Sequence, residues 1–513
     1  MSDINNKRIT YNTLFLYLRM ILVMGITFYS SRVVFQALGV SDYGLYNVVG
    51  GVIIMLGFID SSLSGSSSRY ITYYIGIHDF KMVNLYFRCI KAVSYLFSIL
   101  ILIIAETIGL WFVCNKLVIP ENRFVAAMWV YQCSIALTIV ALISMPYKAL
   151  IIAHEKMKFF AYVSIFENIL KLFVAFFILY WGRDRLILYA FFLLLVQVSV
   201  RLIYHFYSNK EFKECISGGF LWDVNKCKEI LGFTGWILYG NLAVIGYTQG
   251  LNILLNIFFG PVVNAARAIS VQIQSLFLQF CNSFQMATKP QLTKLYAIGD
   301  FVQMHRLLLS SSRLSFFLLL LIAIPVITQI DYVLYFWLGD IPMYTSSFVK
   351  IMFLLSLDNV FSFPLFIAIE ATGKIKNFQI IEGSILLLIV PISYIVLKFF
   401  NGTPESVFWV YLIIEYFTQF IRILIVYTCI KLSIKYFFKE VFYPCVKVLL
   451  ASGSLSYILV KYNPTANWII LFANSSVIVL IIFLSVFIMG LKKEEKQITY
   501  NFCINTWKKL IKY

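Results

Sequence analysis

Apolar runs of 18 or more residues recur from one end of this 513-residue chain to the other. A run of that length is what an α-helix needs to cross the hydrocarbon of a bilayer. In lipid every backbone N–H and C=O must find its partner inside its own segment or in a closed barrel. Runs this long, joined by short connections, therefore dictate a bundle of membrane-spanning helices. Composition agrees: 61% of the residues are hydrophobic and 13% charged, against roughly 25% charged in a soluble domain. The spans are expected at 11–36, 44–75, 84–113, 123–152, 160–181, 185–207, 231–259, 263–288, 305–330, 344–370, 378–400, 406–429, 441–461 and 467–490, about fourteen in all. The polar start, MSDINNKRIT, followed by a long first run, predicts a retained helix and not a cleaved signal.

The longest connection, between the sixth and seventh spans, reads SNKEFKECISGGFLWDVNKCKEI and is expected to be an amphipathic linker. It divides the chain into a six-helix half over 1–207, the linker at 208–230, a second six-helix half over 231–430, and two extra helices with a basic tail over 431–513. The formal charge of +18 could suggest nucleic acid, but its distribution explains it as topology. Lys7, Arg8, Lys81, Lys156, Lys158, Lys210, Lys289, Lys294, Lys374, Lys376 and Lys431 fall in connections on one side, with the basic tail. The other side has few cations, among them Lys116, Arg123, Arg183 and Arg185. Because Lys and Arg stay cytoplasmic, both termini and the linker are predicted to lie in the cytoplasm.

An internal repeat is visible. At an offset of 221, Gly39 aligns with Gly260, and Ile77, Asp79 and Phe80 align with Ile298, Asp300 and Phe301. At an offset of 218, Pro146, Ala153, Lys156 and Phe160 align with Pro364, Ala371, Lys374 and Phe378. The shift is an even number of spans, so both copies keep one orientation: a parallel repeat, related by a pseudo-two-fold along the membrane normal. Transporters of this construction hold substrate between the halves and rock them in alternating access.

Ionisable residues inside spans are costly and mark pathways or partners. The first span carries Arg19 and, near its outer end, Arg32; the second carries Asp60 and ends its Ser-rich stretch on Arg69. The seventh has Asn241, Thr248, Gln249, Asn252 and Asn256; the eighth has Arg267, Gln274, Ser275, Asn282 and Gln285. These are repeat-related helices, so their polar stripes predict one cationic aqueous cavity with an anionic ligand. Phosphate suits it, because guanidinium matches its oxygens in fork geometry. Arg19, Arg32, Arg69, Arg267, Asn252 and Gln274 are the expected substrate contacts. Asp60 and Asp358 have no partner close in sequence, and each reads either as a proton- or sodium-coupling site or as an interhelix partner of an arginine. Other features have structural readings: Ser61–Ser68 as close helix packing, Arg88 and Lys91 as snorkelling side chains, and Glu167–Lys171 and Glu415–Arg422 as neutralised pairs.

Nothing in the chain reads as an enzyme. There is no GxxxxGK[ST] phosphate loop, and no carboxylate pair or Ser/His set placed for catalysis. The nine cysteines show no CxxC spacing, so neither a metal site nor a structural disulfide is expected, and no cofactor beyond a Na+ or H+ gradient.

The stretch SRVVFQALGVSDYGLYNVVGGVIIMLGFIDSSLSGSSSRYITYYIG resembles the amino-terminal signature of Wzx-like polysaccharide flippases. So do PYKALIIAHEKMKFFAYV after the fourth span and FTGWILYGNLAVIGYTQGLNILLNIFFGPVVNAARAISVQI opening the second half. The resemblance covers roughly spans 1–8. It implies the multidrug/oligosaccharidyl-lipid/polysaccharide exporter fold, two six-helix lobes opening alternately to each side. It also implies an undecaprenyl-diphosphate-linked oligosaccharide as cargo, moved to the periplasmic leaflet of a bacterial inner membrane for O-antigen or capsule synthesis. Membrane lipids and other polysaccharide-assembly membrane proteins would then be its partners. Relatives that flip the peptidoglycan precursor use cavity arginines in the first, second and eighth spans, where Arg19, Arg69 and Arg267 fall here. The rival on the same fold is an ion-coupled exporter of drugs, which a cationic cavity disfavours. An O-antigen polymerase or ligase would need a large outer loop, and a scaffold protein would not need four arginines on the repeat-related helices, each costing about 2.5–3.5 kcal/mol at mid-membrane.

Overall fold

A computed structural model describes residues 2–54, 57–117, 119–180, 184–212, 221–493 and 495–497. Among them the chain is helical from end to end, with no strand. In order the main helices are α1 (Ser2–Ile54), α2 (Gly57–Gly76), α3 (Phe80–Ile104), α4 (Phe124–Ala153), α5 (Met157–Leu179), α6 (Arg185–Glu211), α7 (Val224–Phe259) and α8 (Pro261–Ala297). Then come α9 (Phe301–Thr328), α10 (Thr345–Thr372), α11 (Lys376–Phe399, interrupted at Leu388), α12 (Pro404–Ile430), α13 (Tyr443–Tyr462) and α14 (Trp468–Ser485).

Among the described residues, twelve helical segments are long and apolar enough to cross a membrane. The two expected spans missing from that set are helical too: α8, and α2 with the end of α1 before it. Twelve and two make the fourteen expected from the sequence. The two fall short in hydropathy because they carry Asp60, Arg69 and a run of serines in one case and Arg267, Lys289, Lys294 and several glutamines in the other. The chain is a multi-pass membrane protein, and its surface says so as well. On α14, Trp468, Phe472, Leu480 and Phe483 are each more than half exposed, an apolar face that only lipid solvates.

Helix boundaries shift where the sequence signal was weakest. The first two spans are expected with a connection over 37–43, but α1 runs through it and only Gly39 leaves helical geometry, at φ 73° and ψ 172°. That region is essentially reserved for glycine. Gly260, its repeat partner, takes φ 79° between α7 and α8. The linker is shorter than its predicted bounds, since α6 continues to Glu211 and α7 starts at Val224. Its middle, 213–220, and the basic tail from 498 lie outside the described residues.

The repeat is written into the local backbone. After α2, Ile77, His78 and Asp79 donate to the carbonyls of Tyr73, Ile75 and Tyr74, with His78 at φ 59°. After α8, Ile298, Gly299 and Asp300 donate to Lys294, Tyr296 and Leu295, with Gly299 at φ 76°. Each pair differs by 221. After α4, Glu155 at φ 60° donates to Ile152; after α10, Gly373 at φ 77° donates to Glu370, a shift of 218.

The molecule has two compact units. The first is Met1–Val244 together with Met286–Phe301 and Glu370–Gly383; the second is Ile245–Gln285, Val302–Ile369 and Ser384–Tyr513. In the first, α1 packs on α5, and α4 lies against α2, α3 and α6. One apolar cluster there includes Val49, Ala105, Val130 and Tyr131. In the second, Leu251, Leu255, Phe348, Leu355 and Phe408 sit at the centre of another cluster.

Candidate anion site and buried charges

The predicted site residues separate by the company their charges keep. On α1, Arg19 is half-buried with its guanidinium 5.0 Å from the centre of the Phe160 ring on α5, a cation–π contact that leaves the charge uncompensated. Arg32 is exposed. On α2, Arg69 lies against Tyr70, Tyr73 and Phe233, at 4.6, 5.1 and 5.7 Å from the ring centres, and its Nη2 donates to the Ala371 carbonyl at 3.4 Å. On α8, Arg267 is buried; it donates through Nη1 to Asn252 Oδ1 and through Nη2 to the Thr248 carbonyl at 3.0 Å. The structure therefore brings Arg267 and Asn252 together, and Asn252 in turn donates to Gln249 at 3.1 Å. Gln274 donates to the Met352 carbonyl at 3.4 Å, holding α8 to α10.

Among the described residues, no carboxylate lies within 4 Å of the Arg19, Arg69 or Arg267 cation. The Nε atoms of Arg69 and Arg267 are also buried without a protein acceptor. Some other cations in the spans are matched, whereas Lys148 and Lys447 rest on tyrosine rings. Arg422 on α12 lies 2.9 Å from Glu415 and 3.5 Å from Asp358. Lys171 meets Glu167 at 2.6 Å, the i,i+4 pair read from the sequence. Of the two carboxylates expected as coupling sites, Asp358 is thus an interhelix partner of an arginine, and Ser362 donates to it at 3.3 Å. Two buried acids share that one guanidinium. Asp60 is half-buried and feels Lys148 as an opposing charge.

The serine-rich stretch is packing for the most part. Ser62, Ser66, Ser67 and Ser68 are buried. Asn241 on α7 donates to Ser62 Oγ at 2.8 Å, and Ser66 shares a 2.8 Å hydrogen bond with Thr234.

Sequence reasoning missed three charge groups. Arg123 joins Asp42 on α1 to Asp184 before α6, with 2.7 Å to Asp184; this accounts for the aspartate of LGVSDYGLY within the first stretch that carries the resemblance. Arg313 on α9, fully buried, donates to the Glu440 carbonyl at 2.9 Å and pairs with Glu495. Glu155 accepts from Gln291 Nε2 at 2.6 Å and from Lys294, while Lys289 lies 2.7 Å from Glu370. The one signal in the sequence was that Glu155 aligns with a glycine in the repeat.

No protein-family model matches the chain, and no curated protein matches it. Solved structures do. A MOP superfamily transporter from Pyrococcus furiosus, whose binding pocket is described as of reverse polarity, shares 14% identity at a TM-score of 0.68, covering 82% of this chain and 95% of its own. An outward-facing multidrug resistance MATE family transporter of the MOP superfamily gives 15%, 0.68, 82% and 95%. A MATE protein bound to MaL6 gives 14%, 0.68, 82% and 96%. At such identities the likeness is one of fold, and this chain has the fold of the MATE transporters of the MOP superfamily.

Proposed function

We propose that the chain is a flippase that carries undecaprenyl-diphosphate-linked oligosaccharide from the cytoplasmic to the periplasmic leaflet of a bacterial inner membrane, for surface polysaccharide assembly. The observation that carries this reading is the set Arg19, Arg69 and Arg267, on α1, α2 and α8, which no carboxylate among the described residues neutralises. A bare guanidinium in a membrane-spanning helix is expensive. A diphosphate compensates it and is itself relieved of most of its desolvation penalty by charged hydrogen bonds. The two six-helix halves, 1–207 and 231–430, would rock about the cargo in alternating access, with 431–513 outside that motion. Arg19, Arg69 and Arg267 contact the diphosphate, Arg32 guides it at the outer end, and Asn252 and Gln274 offer amides to phosphate or sugar. The lipid tail stays in the bilayer. Asp60, and Asp358 through its pairing with Arg422, are the sites where a proton or Na+ gradient would act. Both termini lie in the cytoplasm in this reading, which the Lys- and Arg-rich connections support. Membrane lipids and other polysaccharide-assembly proteins complete the surroundings.

A second reading, an ion-coupled exporter of cationic drugs, draws on the MATE neighbours and on the excess acid at Asp358, Glu415 and Arg422. A deletion strain separates the two. For the flippase, lipid-linked oligosaccharide accumulates on the inner leaflet, surface polysaccharide is lost and drug susceptibility is unchanged. The triple variant R19A/R69A/R267A, at normal membrane abundance, fails to restore polysaccharide, and each Arg→Lys variant restores more than the matching Arg→Ala, because Lys keeps the charge and loses the fork. Full complementation by the triple variant removes the cationic-site model.

A further inference from the structure

Two short pieces of the second half, Met286–Phe301 and Glu370–Gly383, belong to the compact unit built from the first half. They are the end of α8, the end of α10, the turn after it and the start of α11. Their contacts follow the repeat crosswise. From the first half, Arg69 near the end of α2 donates to Ala371 and lies over Gly373, so close that a Cβ there would fall 2.5 Å from its Nη2. From the second half, Gln291 and Lys294 near the end of α8 donate to Glu155. Arg69 aligns with Pro290, one residue from Gln291, and Gly373 aligns with Glu155. Each half thus sends a cationic side chain from its second helix into the turn after the fourth helix of the other half.

From this geometry we infer that Arg69, Glu155 and Lys294, with Lys289 and Glu370, form a reciprocal clasp that holds the basic, cytoplasmic side of the transporter shut. Three features make it a releasable gate. First, Glu155 occupies a left-handed position, φ 60°, that its repeat partner fills with glycine; a non-glycine residue kept there at conformational cost is a mark of function. Second, the carboxylates are buried, with side chains 1% exposed for Glu155 and 2% for Glu370, whereas both lysines are 20% exposed. Lysine ammonium groups at this edge can swing into water as the helices part, and the carboxylates are hydrated by the same opening. Third, several of the neighbouring contacts are polar or glycine-mediated: Ser66 with Thr234, Asn241 with Ser62, and Gly76 against the Lys294 backbone, where a Cβ would stand 3.0 Å from Lys294 Cα, and the apolar cluster beside them has a buried core of three residues, Leu16, Met157 and Ala287. Water can replace such hydrogen bonds at little net cost; it cannot replace interlocked aliphatic side chains.

The test is independent of cargo. Ser66 lies fully buried behind the clasp, so Ser66→Cys reports its opening. In inverted membrane vesicles a membrane-impermeant maleimide is applied and modification is followed by mass spectrometry of the peptide carrying residue 66. The thiol introduced by S66C is expected to react slowly in the otherwise wild-type chain. E155Q and K294Q should each raise the rate about tenfold or more, and the exchanged pair E155K/K294E should return it to within about threefold of the parent. Ser356→Cys, buried in the second unit, serves as the fold control and should stay protected throughout. Unchanged rates in both single variants overturn the clasp. So does acceleration that the exchanged pair fails to reverse, or labelling of the S66C and S356C thiols together, which reports loss of fold and not opening of one side. The labelling pattern stands whether the cargo is a lipid-linked oligosaccharide or a drug, so the clasp and the flippase reading can fail separately.

Discussion

Arg422 shows what a single residue carries in this chain. Its side chain is buried between Glu415 and Asp358, both also buried, and Ser362 and Gln419 accept from its Nη1 at 2.6 and 2.9 Å. Removing one member of such a group leaves buried charge without a partner, about 3–5 kcal/mol of destabilisation. R422A is therefore expected to lower the thermal midpoint of the detergent-solubilised protein sharply, and R422A/D358N/E415Q to recover part of the loss. Equal midpoints for R422A and wild type would show the network to be incidental. Gly250 is a packing counterpart: a Cβ there would meet Val390 Cγ2 at 2.5 Å. Valine is stiff at χ1 and cannot swing away, so G250A should cost about 1–3 kcal/mol by overpacking, read in the same melting experiment.

At the scale of the helix, glycines divide into those that break geometry and those that only tolerate it. Gly39 holds a conformation in which a side chain is strained. Gly44, five residues on in the same helix, keeps ordinary helical geometry, and a Cβ added there would meet no heavy atom within 4 Å. G39A should destabilise the protein by about 1–3 kcal/mol. G44A should be neutral or stabilise it by up to about 1 kcal/mol, as alanine is the better helix former. Thermal melts of the two variants side by side check the contrast; equal effects would mean that the break at residue 39 is not imposed by the fold. The polar helices α2 and α8 make a related point. Hydropathy alone leaves them out of the spanning set, yet each is one continuous helix, because serine, asparagine and glutamine satisfy themselves against neighbouring helices, as Asn241 does with Ser62 and Gln285 with the Val360 carbonyl.

For the whole molecule, orientation is the property on which the direction of transport depends. Reporter fusions at Lys210 and at the carboxyl end are expected to be active as cytoplasmic reporters and silent as periplasmic ones, by the retention of Lys and Arg. The opposite pattern would invert the membrane and place the clasp on the outer side. It would leave the helix packing, the ion pairs and the repeat unchanged, since none of these depends on which face meets the cytoplasm.

What the sequence determined by itself is everything set by local composition and spacing: the helical membrane architecture, the positions of the spans within a few residues, the repeat with its paired breaks at Gly39 and Gly260, and the Glu167–Lys171 pair one turn apart. Lipid enforces these, because a segment must satisfy its backbone internally whatever its neighbours are. What only the tertiary structure decided is which charges are spent on one another. Arg123 finds Asp42 across 81 positions and Lys294 finds Glu155 across 139, whereas Arg19 and Arg267, which look no different in sequence, find no carboxylate among the described residues. Such pairing depends on the rotation and axial register of packed helices, quantities that no window of sequence contains. The same register turned Arg69 toward Gly373, a meeting of residues 304 positions apart that no local pattern announces.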